Sequence, residues 1–421
     1  MSRERAARML DADGSLRRRR HATVAVMRTS HTLIAARAVR AFGDGFTALL
    51  LPVYLSGLGF SPFRVGALTT ATLLGSAMLT LAVGLAGHRM SARSLLFGAC
   101  VLMAATGLAF AQAHAFWPLM VVGFLGTLNP SGGDVSPFLP LEQSLLAHAG
   151  PPAERTSLFA GYTLAGSAMV AVGALSVGLL APLKTVTGFS QQALIEGAFL
   201  VYGALGLFSF LLYRTLPDQP PEEDAPRTAL GPSRRRVFGL AALFSIDSFG
   251  GGFLVQSLFA LWLFHRFGLS LPAAGAFFFW TGAFSALSQL AAPVLAKRFG
   301  LINTMVFTHI PANLCVIAAA FAPTLPVAFT LLIVRSLLSS MDVPARSSYV
   351  MAIVTPAERA AAAGVTNVPR SLASALSPTL AGLLFSTYAF AWPLVIGGGL
   401  KITYDLLLLW RFQSVRPPEE A

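Results

Sequence analysis

The residues that could do chemistry in this sequence are charged side chains set inside long apolar runs. Arg37, Arg40 and Asp44 stand at spacings of three, four and seven within one run and share a face if that run is helical. Arg40 and Asp44 are placed to pair at i,i+4. Asp247 lies in a second run and Arg335 in a third, where Ser336, Ser339 and Ser340 follow it. Asn367, Arg370, Ser374 and Ser377 form a polar stripe in a fourth. The stretch Asn129-Pro130-Ser131-Gly132-Gly133-Asp134 interrupts yet another, and its Pro and paired Gly cannot keep a regular helix. An ionisable group at the centre of a bilayer costs ~2.5–3.5 kcal/mol on insertion scales, so each of these needs a partner or a task. Guanidinium groups around a cavity suit an anionic or zwitterionic solute. Carboxylates such as Asp44 and Asp247 can carry a coupling proton when desolvated. Local pairing is the simpler reading for Lys401 and Asp405, and Asp342 or Asp405 could hold Arg335 or Arg370 in ion pairs.

Nothing in the sequence turns this set into a bond-making site. HExxH, GxSxG and the phosphate-binding GxxxxGK[ST] are absent, and the seven His show no metal spacing. The two cysteines, Cys100 and Cys315, sit in apolar segments and read as reduced and structural. The expectation is a non-enzymatic protein without metal or cofactor. With no nucleotide-binding loop, any uphill work must draw on an ion gradient.

The elements that would position these residues follow from composition. The 421 residues are 55% hydrophobic and only 11% charged, against roughly 25% charged in soluble domains. A helix crossing the hydrocarbon core needs about 20 apolar residues. Candidates fall at 33–57, 64–87, 94–113, 116–139, 156–181 and 193–213, then at 237–264, 273–296, 302–322, 325–343, 360–386 and 391–411. The divisions expected are a disordered basic tail (1–31), a six-helix half (32–213), a hydrophilic linker (214–236), a second six-helix half (237–411) and a short tail (412–421). Met27, just before the first apolar run, is a candidate start of translation.

With twelve crossings both termini share one side, which would carry 22 Lys and Arg against three, Arg64, Lys184 and Arg266, on the other. The positive-inside rule makes the richer side cytoplasmic. The net charge of +12 is thereby explained by topology, and no nucleic-acid partner is expected.

An internal repeat ties the halves together. Pro140 pairs with Pro344, Ser144 with Ser348, and Pro152-Ala153-Glu154-Arg155 with Pro356-Ala357-Glu358-Arg359, all at an offset of 204. Phe42–Phe46 matches Phe249–Phe253 at an offset of 207, which aligns Arg40 with Asp247. Two parallel six-helix repeats place a site at their interface.

Over nearly all of residues 32–411 the chain resembles the major facilitator superfamily. That family's loop between helices 2 and 3 typically reads G-x-x-x-D-R-x-G-R-R/K. Here Gly84, Arg89 and Arg93 match while His88 replaces the acid, and the second-half counterpart keeps Arg298 and Gly300. The resemblance implies an all-α membrane protein of two pseudo-symmetric six-helix bundles, with this loop latching the halves. Glu154, Arg155, Glu358 and Arg359 either share that latch or cap helices 5 and 11. The cavity would be lined by Arg40, Asp44, Asp134, Asp247, Arg335, Asn367 and Arg370. The expected function is proton-coupled transport of a small organic solute by alternating access, with efflux favoured over uptake of an organic acid or sugar. A non-transporting sensor or scaffold would call for a larger soluble domain. A monomer in the lipid bilayer of a bacterial inner membrane is expected.

Overall fold

A computed structural model describes residues 3–86, 90–131, 136–148, 155–217, 231–355, 358–387 and 390–413, with side chains from Thr29 onward except at 84–86, 147–148, 155–157, 359–360 and 387. Every regular element among them is helical. The first half runs α1 (Arg3–Gly57), α2 (Pro62–Ala86), α3 (Ala92–Gln112), α4 (Phe116–Leu125), α5 (Phe138–His148), α6 (Arg155–Ser176), α7 (Leu180–Thr187) and α8 (Gln191–Tyr213). The second runs α9 (Arg234–Gly252), α10 (Gln256–Phe267), α11 (Leu271–Phe299), α12 (Leu301–Ala320), α13 (Leu325–Leu338), α14 (Asp342–Ala352), α15 (Arg359–Thr387) and α16 (Trp392–Phe412).

The pairs α4–α5, α9–α10 and α13–α14 are single crossings broken along their length, and α6–α7 is one crossing interrupted near its outer end by a short turn, which makes six crossings per half. Ten helical stretches among the described residues are long and apolar enough to span a membrane. The α4–α5 crossing is broken around Pro130, and the polar stripe of α15 lowers its hydropathy. At 29 residues α15 is nonetheless about 43 Å long at 1.5 Å per residue, ample for a core of about 30 Å.

Local sequence sets the helix ends. Ser91, Ser190 and Ser270 cap α3, α8 and α11, each hydroxyl accepting from the backbone N–H three residues on. Gly188 and Gly268 end α7 and α10 in the left-handed conformation that favours glycine.

Three boundaries differ from the sequence reading. Backbone helix extends back to Arg3, through residues read as an unstructured tail; Arg and Ala, abundant there, are strong helix formers. The fourth crossing continues to His148 rather than 139, and the tenth to Ala352 rather than 343. Each resumes as a second half-helix after its break. Their charged residues, Glu142 and Arg346, look like loop residues but lie inside the bundle, both under 10% exposed. Arg346 therefore leaves the tally of loop charges.

The halves meet at the end of the bundle away from the linker. There α2 crosses α15 with no room for a side chain: a Cβ on Gly66 would stand 2.2 Å from the Pro378 carbonyl oxygen, and one on Gly382 2.5 Å from that of Pro62. Thr379 donates to or accepts from Thr70 at 2.8 Å, and the Phe63 amide donates to Ser386 at 3.0 Å. Such close approach of small residues is how membrane helices associate without a hydrophobic driving force. A second seam joins α6 to α11, where a Cβ on Gly275 would stand 2.7 Å from the Ala174 carbonyl oxygen.

Candidate functional site

Two of the helix breaks meet between the halves. The Ser257 amide at the start of α10 donates to the Pro130 carbonyl at 3.1 Å, so the broken fourth and seventh crossings touch across the halves. Irregular backbone at this depth is tolerated where it is buried in protein or lines a cavity. Beside the junction lies a cavity of about 370 Å³, within the usual range for small-molecule sites. The first half contributes Arg37, Ser131 and Ser167; the second contributes Gln256, Thr281, Ser285, Gln289, Arg335 and Ser336, with Phe259, Phe277 and Phe278 supplying the apolar wall. Among the described residues no carboxylate lines it and Arg335 makes no ion pair; the Arg335 guanidinium lies 5.9 Å from the centre of the Phe259 ring. A larger cavity, about 540 Å³, opens at the far end between the halves near Ser56, Lys184 and His265.

The remaining intramembrane charges collect in one cluster per half. In the first, Arg40 makes a two-pronged pair with Glu142 of α5 rather than with Asp44: Nη1 donates to Oε1 at 3.0 Å and Nη2 to Oε2. Tyr213 donates to Oε1 at 2.6 Å, Tyr162 donates to Oε2, and the guanidinium lies 4.0 Å from the centre of the Phe138 ring. Glu142 has no exposed surface. A buried pair repays its desolvation only with geometry this complete. Asp44 is buried one turn further along α1.

In the second half, Asp247 of α9 accepts from Arg346 Nη1 at 3.0 Å and from Lys401 Nζ at 2.7 Å. Asp342 holds Arg346 from the other side at 3.3 Å. Lys401 thus reaches Asp247 instead of self-pairing with Asp405, whose carboxylate faces His309 Nδ1 at 3.0 Å from both oxygens. Arg370 donates from Nε to Ser248 at 3.1 Å and from Nη1 to Asn367 at 3.3 Å. Neither Asp342 nor Asp405 is its ion-pair partner.

The two clusters are related by the repeat with their signs exchanged. Arg40 aligns with Asp247 at the offset of 207, and Glu142 with Arg346 at the offset of 204. Each half therefore ties its first crossing to its broken fourth by one buried ion pair, cation first in one half and anion first in the other. The exchange extends one turn outward. Arg37 aligns with Phe244 and Gly166 with Arg370. In the first half Arg37 fills the space over Gly166, where a Cβ would stand 2.6 Å from its Nε; in the second, Arg370 lies 6.0 Å from the centre of the Phe244 ring.

The residues expected to latch the halves make other contacts. Arg93 donates to the Arg214 carbonyl at 3.1 Å, within the first half, and Arg298 lies over its neighbour Phe299. Glu358 closes onto the end of the linker: it accepts from the Ser233 hydroxyl at 2.7 Å, the Thr355 hydroxyl at 2.8 Å, and the Gly231 and Ser233 amides at 2.6 and 3.3 Å. Hydrogen bonds from the Ser233 and Thr355 hydroxyls, then from the Gly231 and Ser233 amides, hold its pKa down at about 2. The acid of the repeated Pro-Ala-Glu-Arg motif thus caps the start of α9. Asp134, Arg89 and Glu154 lie outside the described residues, Arg155 and Arg359 are described in backbone only, and Gly84 falls within α2.

A family model described as Major Facilitator Superfamily matches residues 33–341. The chain is 25% identical over 419 residues to an uncharacterized membrane protein of Saccharomyces cerevisiae, YJR124C, covering 91% of this chain and 94% of that one. It is 22% identical over 378 residues to the quinolone resistance protein NorA of Staphylococcus aureus, covering 87% and 92%. Among solved structures it resembles the nucleoside transporter NupG (TM-score 0.71, 18% identity, 91% of this chain and 99% of that one). It also resembles a bacterial homolog of the human lysosomal transporter Spinster in an inward-facing, occupied conformation (TM-score 0.70, 17% identity, 91% and 96%).

Proposed function

This chain belongs to the Major Facilitator Superfamily, and from that premise we propose that it exports a small anionic or zwitterionic aromatic solute in exchange for protons. It is a multi-pass membrane protein and a secondary transporter rather than an enzyme. The observation that carries the substrate class is the cavity between the halves. It presents Arg37 from one half and Arg335 from the other, beside three phenylalanines and, among the described residues, no carboxylate. The half-buried Arg335 guanidinium makes no ion pair among the described residues, and a carboxylate or phosphate on the solute would supply that charge through a charge-assisted pair. The phenyl rings suit an aromatic body, and the hydroxyl and amide groups suit polar substituents.

The linker end is the cytoplasmic end in this reading, supported by its excess of Lys and Arg. The cavity then loads from the cytoplasm while the α2–α15 and α6–α11 seams hold the opposite end shut. Rocking of the halves about the cavity would open those seams and close the linker end. The similarity to NorA supports export over uptake. The proposed setting is a bacterial inner membrane, with the protein acting as a monomer.

The test is reconstitution into proteoliposomes with an imposed pH gradient and a panel of aromatic carboxylates, nucleosides and a fluoroquinolone. Gradient-driven movement of carboxylated solutes in preference to neutral ones is expected. Preference for neutral or purely cationic solutes, or movement indifferent to the gradient, would contradict the reading.

A further inference from the structure

The sign-exchanged clusters differ in one chemical respect. The Arg40–Glu142 pair is finished by two tyrosine hydroxyls and contains no group that titrates near neutrality. The Asp247–Arg346 pair is extended by a histidine lying between two carboxylates. His309 Nδ1 is 3.0 Å from both oxygens of Asp405, and its Nε2 is 3.9 Å from Asp247 Oδ1. With Nδ1–H donating to Asp405, the free lone pair of Nε2 points toward Asp247. Asp405 is wholly buried, and His309 and Asp247 are each 4% exposed.

Charge balance singles out this pair. The cluster holds the carboxylates of Asp247, Asp342 and Asp405 against the permanent cations Arg346 and Lys401. Against the two cations in direct contact with these carboxylates one negative charge is left over, and a single proton on the imidazole neutralises it. The other ionisable groups facing the pair do not take that role. Tyr404 packs its ring 6.3 Å from that of His309, and Arg370 is hydrogen-bonded to Ser248 and Asn367 on the α15 side. Arg335 and Cys315 lie toward the far ends of α13 and α12, and Lys297 and Arg298 of α11 are exposed at its end.

We propose that the His309–Asp405 pair is the proton-binding site that sets which end of the transporter is open. A proton from water on one side of the membrane bonds to the Nε2 lone pair of His309, giving an imidazolium held between Asp405 and Asp247. It leaves from the same atom to water on the other side of the cycle. Loss of the proton restores the unbalanced negative charge and draws in Arg370, which makes no ion pair among the described residues and is bound to Ser248, the neighbour of Asp247. Arg370 belongs to α15, the same helix whose Thr379 and Ser386 close the seam with α2. Proton occupancy is thereby linked to that seam through one rigid element, while the Arg40–Glu142 pair acts as a permanent strut.

This inference rests on the proton-coupled reading above and is tested without any solute. Spin labels on Met90→Cys and Phe299→Cys, exposed at the linker end of opposite halves, report the width of that end in a background with Cys100 and Cys315 replaced by alanine. Between about pH 5 and pH 8, the range in which histidine changes charge, the wild-type distance distribution should shift between two populations. In His309→Gln and Asp405→Asn it should stay fixed. Nitrogen-15 spectra of histidine-labelled wild type provide a second readout that needs no folded variant: the His309 ring should change protonation over the same range. A wild-type distribution that ignores pH, a His309 ring fixed in one protonation state, or variants that shift as the wild type does would each overturn the inference. If wild-type proteoliposomes follow a pH gradient while any of these results holds, the transport reading survives and this inference alone fails.

Discussion

Removing Glu142 should be among the most damaging single changes in the first half. Glu142→Ala leaves Arg40 buried at 3% exposure with no anion and deprives the Tyr162 and Tyr213 hydroxyls of their acceptor. Breaking one side of a buried pair typically costs about 3–5 kcal/mol. For a unit of 150–250 residues, the size of this half, that corresponds to a fall in midpoint of about 6–20 °C. Glu142→Gln keeps an acceptor for the tyrosines and should fall between wild type and Glu142→Ala. The double variant Arg40→Met/Glu142→Leu removes both charges together and should recover most of the loss, since apolar replacement of a buried pair is often neutral or better. The assay is thermal or denaturant unfolding of the purified protein in detergent, arranged as a double-mutant cycle. Glu142→Ala within about 0.5 kcal/mol of wild type would refute the strut, because that is the scatter of independent sites. A double variant no better than Glu142→Ala would refute it as well.

Three further outcomes follow from other parts of the structure. Arg335→Gln removes the cavity cation that lacks an ion pair; losing one charge-assisted hydrogen bond of about 1.5–3 kcal/mol should raise the half-saturation concentration of a carboxylated solute about 10- to 150-fold, with neutral solutes little affected, and equal effects on both would refute the assignment. The Glu358 pKa lies below its unfolded value of 4.5, so its cap is fully in place above about pH 4.5 and is lost as pH falls through about 2. Hydrogen-exchange protection of the Gly231 and Ser233 amides should follow that window, and protection that persists in Glu358→Ala would contradict it. Gly66→Val cannot fit the α2–α15 seam, where its Cβ would meet the Pro378 carbonyl oxygen, so a cysteine at Ser56 in the outer cavity should become more reactive to impermeant thiol reagents, and unchanged reactivity would show that the seam is not the gate.

Much of the architecture is legible in the sequence because it depends on length, hydropathy and repetition. The twelve crossings and the offsets of 204 and 207 all survive in the structure. Those offsets also hold the charge exchange, since Glu142 aligns with Arg346 as directly as Pro140 aligns with Pro344. It escapes a hydropathy reading because both residues follow a helix break, so the half-helices that carry them look like loops. His309 is missed for a different reason. It is a lone histidine in an apolar run, and its role depends on Asp405, 96 residues away. Local spacing misleads in two places: Arg40 with Asp44, and Lys401 with Asp405, are both at i,i+4, yet each cation reaches a carboxylate on another helix. Spacing along one helix says which groups share a face but not what that face meets. The sequence leaves Arg335 either facing a cavity or paired with Asp342 or Asp405, and the structure places it at a cavity that both halves line.

The central claim, exchange of an anionic aromatic solute for protons through that cavity, is tested most directly by running the cycle backwards. Proteoliposomes containing a trapped pH indicator, with no initial pH difference and with membrane potential clamped, would be given an inward gradient of an aromatic carboxylate transported in the panel. The expected result is proton movement opposite to the solute, reduced in step with solute flux in Arg335→Gln at solute concentrations near the wild-type half-saturation, and lost while solute exchange persists in His309→Gln. Solute entry at the wild-type rate with no change in internal pH beyond that of protein-free vesicles would contradict the claim.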